Sequence, residues 1–348
     1  MHAALEVKIA QIAPLPQSVP PHADGGTERV VSYLTEELVR LGHDATLFAT
    51  ADPAFSPSHH ALMVERVRQR AHEFDLLHFH VDTLHRPAFR PLARKTLATV
   101  HGPVDAAACA ALHDEFAELP LVSISNSQRS PVPDARWVGT VYHGLPEAVC
   151  PFNPVPPRGA GRYLAFLGRV SPGKGLRRAI EIARRANTRL RIAAKIDPGA
   201  DEHYWRSEIK PLLSDPLLQF VGEVDEAGKP AFLGNAAALL LPVDHPQPFS
   251  LAMIEAMSCG TPVIAFDHGP AREIVEPGIT GAIVDGVDGA AEAARSIDRL
   301  DRARVRARFE SRFSAARMTR DYLALYRRLA AAARPAPGAQ RGSYAGAR

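Results

Sequence analysis

The chain has 348 residues, 46% of them hydrophobic and 23% charged, which is enough for two globular domains with separate cores. Its formal charge of +3 is small and spread along the sequence, so charge alone calls for neither nucleic acid nor a membrane. Cys109, Cys150 and Cys259 are odd in number and far apart, and no run approaches the ~18 apolar residues of a spanning helix. The N-terminus lacks a basic segment followed by a long apolar core. Free thiols and a cytoplasmic location are expected.

In chain order, Val7 to Ala13 reads as a buried strand, followed by a proline-rich loop that ends in Asp24-Gly25-Gly26-Thr27. Val30, Val31, Leu34, Leu38 and Leu41 lie at helical spacing over Glu28 to Leu41, and Gly42 stops that helix. Strands are expected at Ala45 to Ala49, Asp75 to His80, Thr96 to His101, Leu121 to Ser125 and Trp137 to His143. Leu145 to Gly161 carries five prolines and no apolar period, as a linker does. The pattern then restarts with a strand at Arg162 to Leu167, the glycine loop Gly168 to Gly175 and a helix over Leu176 to Ala186.

Further along, the expected elements are a strand at Leu190 to Lys195, a helix at Glu202 to Leu213 and a strand at Leu218 to Val221. A helix ending at Leu233, a strand at Ala237 to Leu241 and a short helix from Ser250 follow. Gly281 to Val284 reads as a strand, with a helix from Gly289 and a long one over Ser314 to Ala333. Alternation of strands and helices predicts an α/β fold of two Rossmann-like, doubly wound domains, residues 1–150 and 151–313, facing a central cleft. Residues 334–348 are rich in Pro, Gly and Ala and are expected to be disordered.

Four pieces carry chemistry. Gly25-Gly26 ahead of a helix exposes backbone amides at its positive end, which suits either an anion or an ordinary tight turn. Gly168 to Gly175 nearly satisfies the P-loop spacing, but Gly175 stands where a hydroxyl would hold Mg²⁺. Phosphate binding by Arg169 and Lys174 without a required metal is the better reading, with two solvated surface cations as the plain alternative. Glu255 is a lone carboxylate inside an apolar helix, past its first turn, so it needs either a structural partner or a ligand hydroxyl. Ser250 begins that helix as a candidate cap. His101 closes a strand over the cleft, where a hydrogen bond to a ligand and a satisfied structural histidine compete; no helical His pair supports a metal.

Gly25-Gly26-Thr27-Glu28-Arg29, Gly168-Arg169 with Lys174-Gly175, and the run from Pro248 and Phe249 through Glu255 to Gly260-Thr261-Pro262 together resemble glycosyltransferase family 4. The resemblance spans about residues 5 to 330. It implies the GT-B architecture, a nucleotide-diphosphate sugar bound mainly by the second domain, an acceptor on the first, retention of anomeric configuration, no catalytic metal and no separate cofactor. By position, Arg169 and Lys174 would hold the diphosphate and Glu255 the ribose. Backbone around Phe249, Ser250 and Leu251 would face the sugar and distal phosphate. Gly26, beside Gly25, would approach the phosphates, His101 would touch the sugar, and the 314–333 helix would cross back to the first domain.

Two positions depart from the family pattern: Gln247 stands for a glutamate and Ser250 for a glycine. Gln247 keeps hydrogen-bonding capacity but loses a charge, which raises the second reading of a nucleotide-sugar-binding protein with weak or no transfer. A P-loop nucleotide hydrolase is a third. No nucleic-acid partner is expected, the acceptor is not legible, and membrane contact is compatible with the basic late helix without being indicated by it.

Overall fold

The computed structural model describes residues 7–21, 25–50, 56–81, 83–104, 106–155, 159–245 and 247–333. Asp24, Pro246 and the 334–348 tail, including its expected disorder, lie outside the described residues.

The first sheet holds β1 (Lys8–Ile12), β2 (Asp44–Phe48), β3 (Leu76–Phe79), β4 (Thr96–Thr99), β5 (Leu121–Ser123) and β6 (Trp137–Thr140), in the order β2-β1-β3-β4-β5-β6. The second holds β7 (Tyr163–Arg169), β8 (Arg189–Lys195), β9 (Leu218–Gly222), β10 (Ala238–Leu241), β11 (Val263–Phe266) and β12 (Gly281–Val284), in the order β12-β11-β10-β7-β8-β9. Every pairing is parallel. The strands are short apolar runs because both faces are covered by helices. These are two doubly wound domains, as the alternation predicts.

The strand order reverses between β1 and β3 in the first sheet and between β7 and β10 in the second. Open parallel sheets bind ligands at such switch points, outside the carboxyl ends of the strands. The loops there are the segment before Gly25, the glycine loop after β7, and the loop carrying Gln247 after β10. Strand β7 runs through Arg169, so that side chain leaves the sheet's last residue rather than the loop.

The helix over Ala315–Ala333 returns to the first domain, where Met318, Tyr322 and Tyr326 are buried beside Ile9, Leu34, Leu76 and Leu97. Its entry is pinned to the linker: Leu145 N–H donates to Phe313 O (2.9 Å), and Ala315 N–H donates to Leu145 O (2.8 Å). Gly144 is required there, since a Cβ on it would lie 2.4 Å from Ser314 O.

The expected helix at Glu202 to Leu213 is broken into an α-turn at Ala200–Tyr204, a π-turn at Trp205–Ile209 and a 3₁₀ segment at Lys210–Ser214. Pro211 explains the break, because it lacks an N–H and its ring crowds the preceding turn. Helices of ten or more residues without a sequence expectation appear at Pro57–Arg70, Ala106–Glu115 and Arg302–Phe313, and one-turn helices at Arg86–Phe89 and Ala271–Ile274. The Arg302–Phe313 helix starts at Asp301, whose carboxylate accepts from Ala303 N–H at 2.8 Å. Its Arg302 is buried and donates to the carbonyls of Asn153, Gly234 and Ala236 and to Thr261 Oγ1. Those bonds tie the linker to the second core. Cys150 and Cys259 are buried free thiols.

Candidate active site

A cavity of about 500 Å³ opens between the two domains. Gly25, Gly26 and Arg29 line it from the first domain; Gly168, Arg169, Lys174, Lys195, Lys229, Leu251 and Glu255 are among its residues from the second. Five cations and two carboxylates, Glu223 and Glu255, therefore surround one space. That excess of positive charge suits a ligand carrying several negative charges.

The first domain contributes through the start of the Gly26–Arg40 helix. Its opening amides carry the positive end of the helix, and Gly25 sits at the N-cap. A Cβ on Gly25 would lie 2.7 Å from Pro21 Cβ, and one on Gly26 would lie 3.2 Å from Leu251 Cδ1. Gly26 thus lets the two domains approach. Arg29 Nη1 pairs with Glu226 of the second domain at 2.8 Å, a tie between the two domains. Glu28, in the same turn, is buried, and burial raises its pKa.

The glycine loop turns through a 3₁₀ segment at Pro172–Lys174 into the Leu176–Arg185 helix. Gly175 has φ +78°, and a Cβ on it would lie 2.2 Å from Pro242 O. The position cannot carry the hydroxyl residue of a P-loop, which removes the Mg²⁺ ligand that a nucleotide hydrolase would need there. Arg169 lies 3.5 Å from Asp197 and 3.8 Å from Asp201 and is half exposed. Lys174 is more enclosed; burial, and then the charge of Arg169, lower its pKa. Its Nζ donates to Gln247 Oε1 at 3.2 Å. Gln247 is therefore attached to the cationic loop, although it does not line the cavity itself.

The Leu251–Ser258 helix begins at Ser250, and Leu251, Ala252 and Glu255 line the cavity. The expected cap is not made: the Ser250 hydroxyl forms no capping bond to the helix. Phe249 turns away from the cavity into a group of rings, 5.0 Å from His143 and 6.3 Å from Tyr142 between centroids. Glu255 is only 4% exposed and has a partner, since Lys229 Nζ donates to its Oε1 at 2.9 Å. Lys229 also pairs with Glu226 at 2.5 Å. Burial would lower the Lys229 pKa, but the two carboxylates outweigh it and hold the ammonium above its usual value.

His101 is not among the residues lining this cavity. Partly exposed itself, it joins the buried His78, His80 and His143: His101 Nε2 lies 2.9 Å from His80 Nδ1, and its ring stacks on His143 with centroids 5.3 Å apart. Burial pushes its pKa down to about 3 and drives those of His78, His80 and His143 well below the usual value, so the cluster is neutral near pH 7.

The structure thus brings Gly25, Gly26, Arg169, Lys174, Leu251 and Glu255 to one cavity, sets Gln247 against it through Lys174, and leaves Phe249, Ser250 and His101 in the adjoining wall. Sequence reasoning gave no role to Arg29, Lys195, Lys229 and Glu226. Arg29 stood inside the quoted glycine motif; Lys229 was signalled only by the unmet charge of Glu255, 26 residues away.

Residues 153–312 match the family model described as glycosyl transferases group 1. The phosphatidyl-myo-inositol mannosyltransferase of Mycolicibacterium smegmatis is 24% identical over 363 residues, covering 88% of each chain. The D-inositol 3-phosphate glycosyltransferase of Thermobispora bispora is 31% identical over 201 residues, 49% of this chain and 46% of that one. Among solved structures, AviGT4, a glycosyltransferase involved in avilamycin A biosynthesis, superposes with a TM-score of 0.71 at 24% identity, covering 94% of this chain and 99% of that one. The Anabaena Alr3699/HepE complex with UDP and glucose gives 0.68 at 16% identity, covering 92% and 99%.

Proposed function

We propose that this chain, a glycosyltransferase of GT-B fold, moves a hexosyl group from a nucleotide-diphosphate sugar to an acceptor hydroxyl, with retention of configuration and without a catalytic metal. The observation that carries the reading is the sharing of one cavity by Arg169, Lys174 and Glu255. Cations suit a diphosphate at one end, and a buried carboxylate suits vicinal ribose hydroxyls at the other. Other supports are the UDP named in the Alr3699/HepE complex and the mannosyl and inositol-phosphate activities named for the relatives.

In this reading the bond between the sugar's anomeric carbon and the diphosphate oxygen breaks, and the anomeric carbon bonds to the acceptor oxygen. The acceptor proton leaves with the diphosphate, on the same face of the sugar. Arg169, Lys174 and the amides at the start of the Gly26–Arg40 helix stabilise the charge that develops on the leaving group. Closure of the domains, tied by Arg29 and Glu226, excludes water so that the acceptor outcompetes hydrolysis.

A second reading rests on Gln247: the chain binds a nucleotide sugar but transfers it poorly. The test measures turnover and hydrolysis of UDP-, GDP- and ADP-sugars by the native chain and by Gln247→Glu. Transfer by the native chain supports the first reading. Binding without turnover in either form supports the second.

A further inference from the structure

A continuous line of hydrogen bonds, buried except at its partly exposed His101 end, runs from the C-terminal helix to the carboxyl edge of the first sheet. Gln11 on β1 is fully buried, and its amide nitrogen donates to Tyr326 Oη at 3.1 Å. Its amide oxygen faces His80 Nε2 at 2.7 Å, and His80 Nδ1 faces His101 Nε2 at 2.9 Å. On the other side, Tyr326 Oη lies 2.7 Å from His78 Nδ1, His78 Nε2 lies 2.8 Å from Thr99 Oγ1, and Thr99 Oγ1 lies 3.0 Å from Tyr322 Oη.

The amide fixes the direction of every bond. A carbonyl oxygen only accepts, so His80 must carry its proton on Nε2. A neutral imidazole has one N–H, so His80 Nδ1 is an acceptor and His101 must donate to it from Nε2. His101 Nδ1 is then a bare lone pair. It is buried and has no hydrogen-bond partner among the described residues. Tyr326, already accepting from Gln11, donates to His78 Nδ1, and His78 Nε2–H then points at Thr99. Turning the one amide over would reverse the whole line and put the proton on His101 Nδ1. Because burial keeps these rings neutral, tautomer rather than charge is the variable that matters.

We propose that Gln11 and His80 are positioning residues that hold His101 as its Nε2–H tautomer, leaving Nδ1 to accept a hydrogen bond from a hydroxyl of the reacting sugar or its acceptor. This rests on the reading of the cavity as a glycosyl-transfer site. It adds that the C-terminal helix, through Tyr326, reaches that site by orienting one amide.

The test is histidine ¹⁵N NMR on the full-length chain, with the His101 signals assigned by their loss in His101→Asn. The native chain is expected to show one tautomer, with a proton on Nε2 and a bare Nδ1. A proton on Nδ1, or a rapidly averaging mixture, overturns the proposal. In Gln11→Met, which keeps the volume but removes the amide, the His101 signals are expected to shift towards a mixture. kcat should fall about 3–10-fold, the worth of one hydrogen bond, with donor KM little changed. A Gln11→Met chain that keeps the native His101 tautomer overturns the role of Gln11. The native spectrum needs neither a variant nor turnover. A chain that shows the Nε2–H tautomer yet transfers no sugar leaves the tautomer assignment standing and removes the glycosyl-transfer reading instead.

Discussion

Lys229 Nζ donates to Glu255 Oε1 at 2.9 Å inside the cavity wall, so the lone acid of an apolar helix is held by a cation from a different helix. One Glu255 oxygen is engaged before any ligand arrives, and its orientation is set. Glu255→Ala should weaken donor affinity by roughly 10–100-fold, the worth of one or two hydrogen bonds to a charged group. It should also lower stability, though by less than the ~3–5 kcal/mol of breaking a fully buried pair, because Lys229 retains Glu226. Calorimetry with a nucleotide sugar and a denaturant melt would measure the two effects separately.

Lys174 is a different kind of cation. Burial and Arg169 both lower its pKa, so an incoming diphosphate relieves repulsion as well as gaining a partner. Lys174→Ala is expected to cost about 10²–10³ in kcat, the scale of losing one preorganised group that stabilises a leaving charge. Lys174→Met, which keeps the apolar stem, should lose as much. Steady-state kinetics on the two variants distinguishes the loss of charge from a loss of packing.

Gln247→Glu places a carboxylate where the amide oxygen now accepts from Lys174 Nζ at 3.2 Å. An ion pair then forms beside the diphosphate end of the cavity, and the added negative charge favours an oxocarbenium-like sugar. Turnover is expected to rise on the order of tenfold, less than the effect of a group in full contact with the reacting atoms. Product release assayed at saturating donor would show it.

The histidine cluster makes stability depend on acid. His101, with a folded pKa of about 3 against ~6.5 in the unfolded chain, is neutral when folded. Its contribution is fully present above pH 6.5 and is lost as the unfolded chain gains protons between pH 6.5 and 3. At pH 5 such a group costs roughly 2 kcal/mol relative to pH 7. A melt series over that range should show a steep fall, and His101→Asn should flatten part of it.

Much of the fold was legible because its signals are local. The apolar runs at Ile9 to Ile12 and Val263 to Phe266, the helical spacing from Val30 to Leu38, and the prolines after Leu145 each declare an element within a few residues. The Arg302–Phe313 helix was not legible: its five arginines hide the stripe of Val305, Phe309 and Phe313, and the burial of Arg302 depends on carbonyls that distant segments place to accept from it. At the site, the glycine loops and Glu255 stood out because each breaks a local rule. Lys229 did not, since a lysine at a helix start looks solvated until the fold sets it against Glu255. The Gln11–His80–His101 line joins one strand residue to two that lie just past the ends of β3 and β4, and it needed coordinates to assemble.

Donor affinity in Arg169→Ala/Lys174→Ala and in Glu255→Ala, beside the native chain, tests the central claim most directly. Calorimetry should follow a thermal-shift screen of UDP-, GDP- and ADP-sugars. At least one nucleotide sugar should bind the native chain. The double variant should also lose affinity for the free nucleoside diphosphate but keep what affinity there is for the nucleoside, while Glu255→Ala loses affinity for both. A native chain that binds none of these sugars, or variants with unchanged donor affinity, would contradict the account.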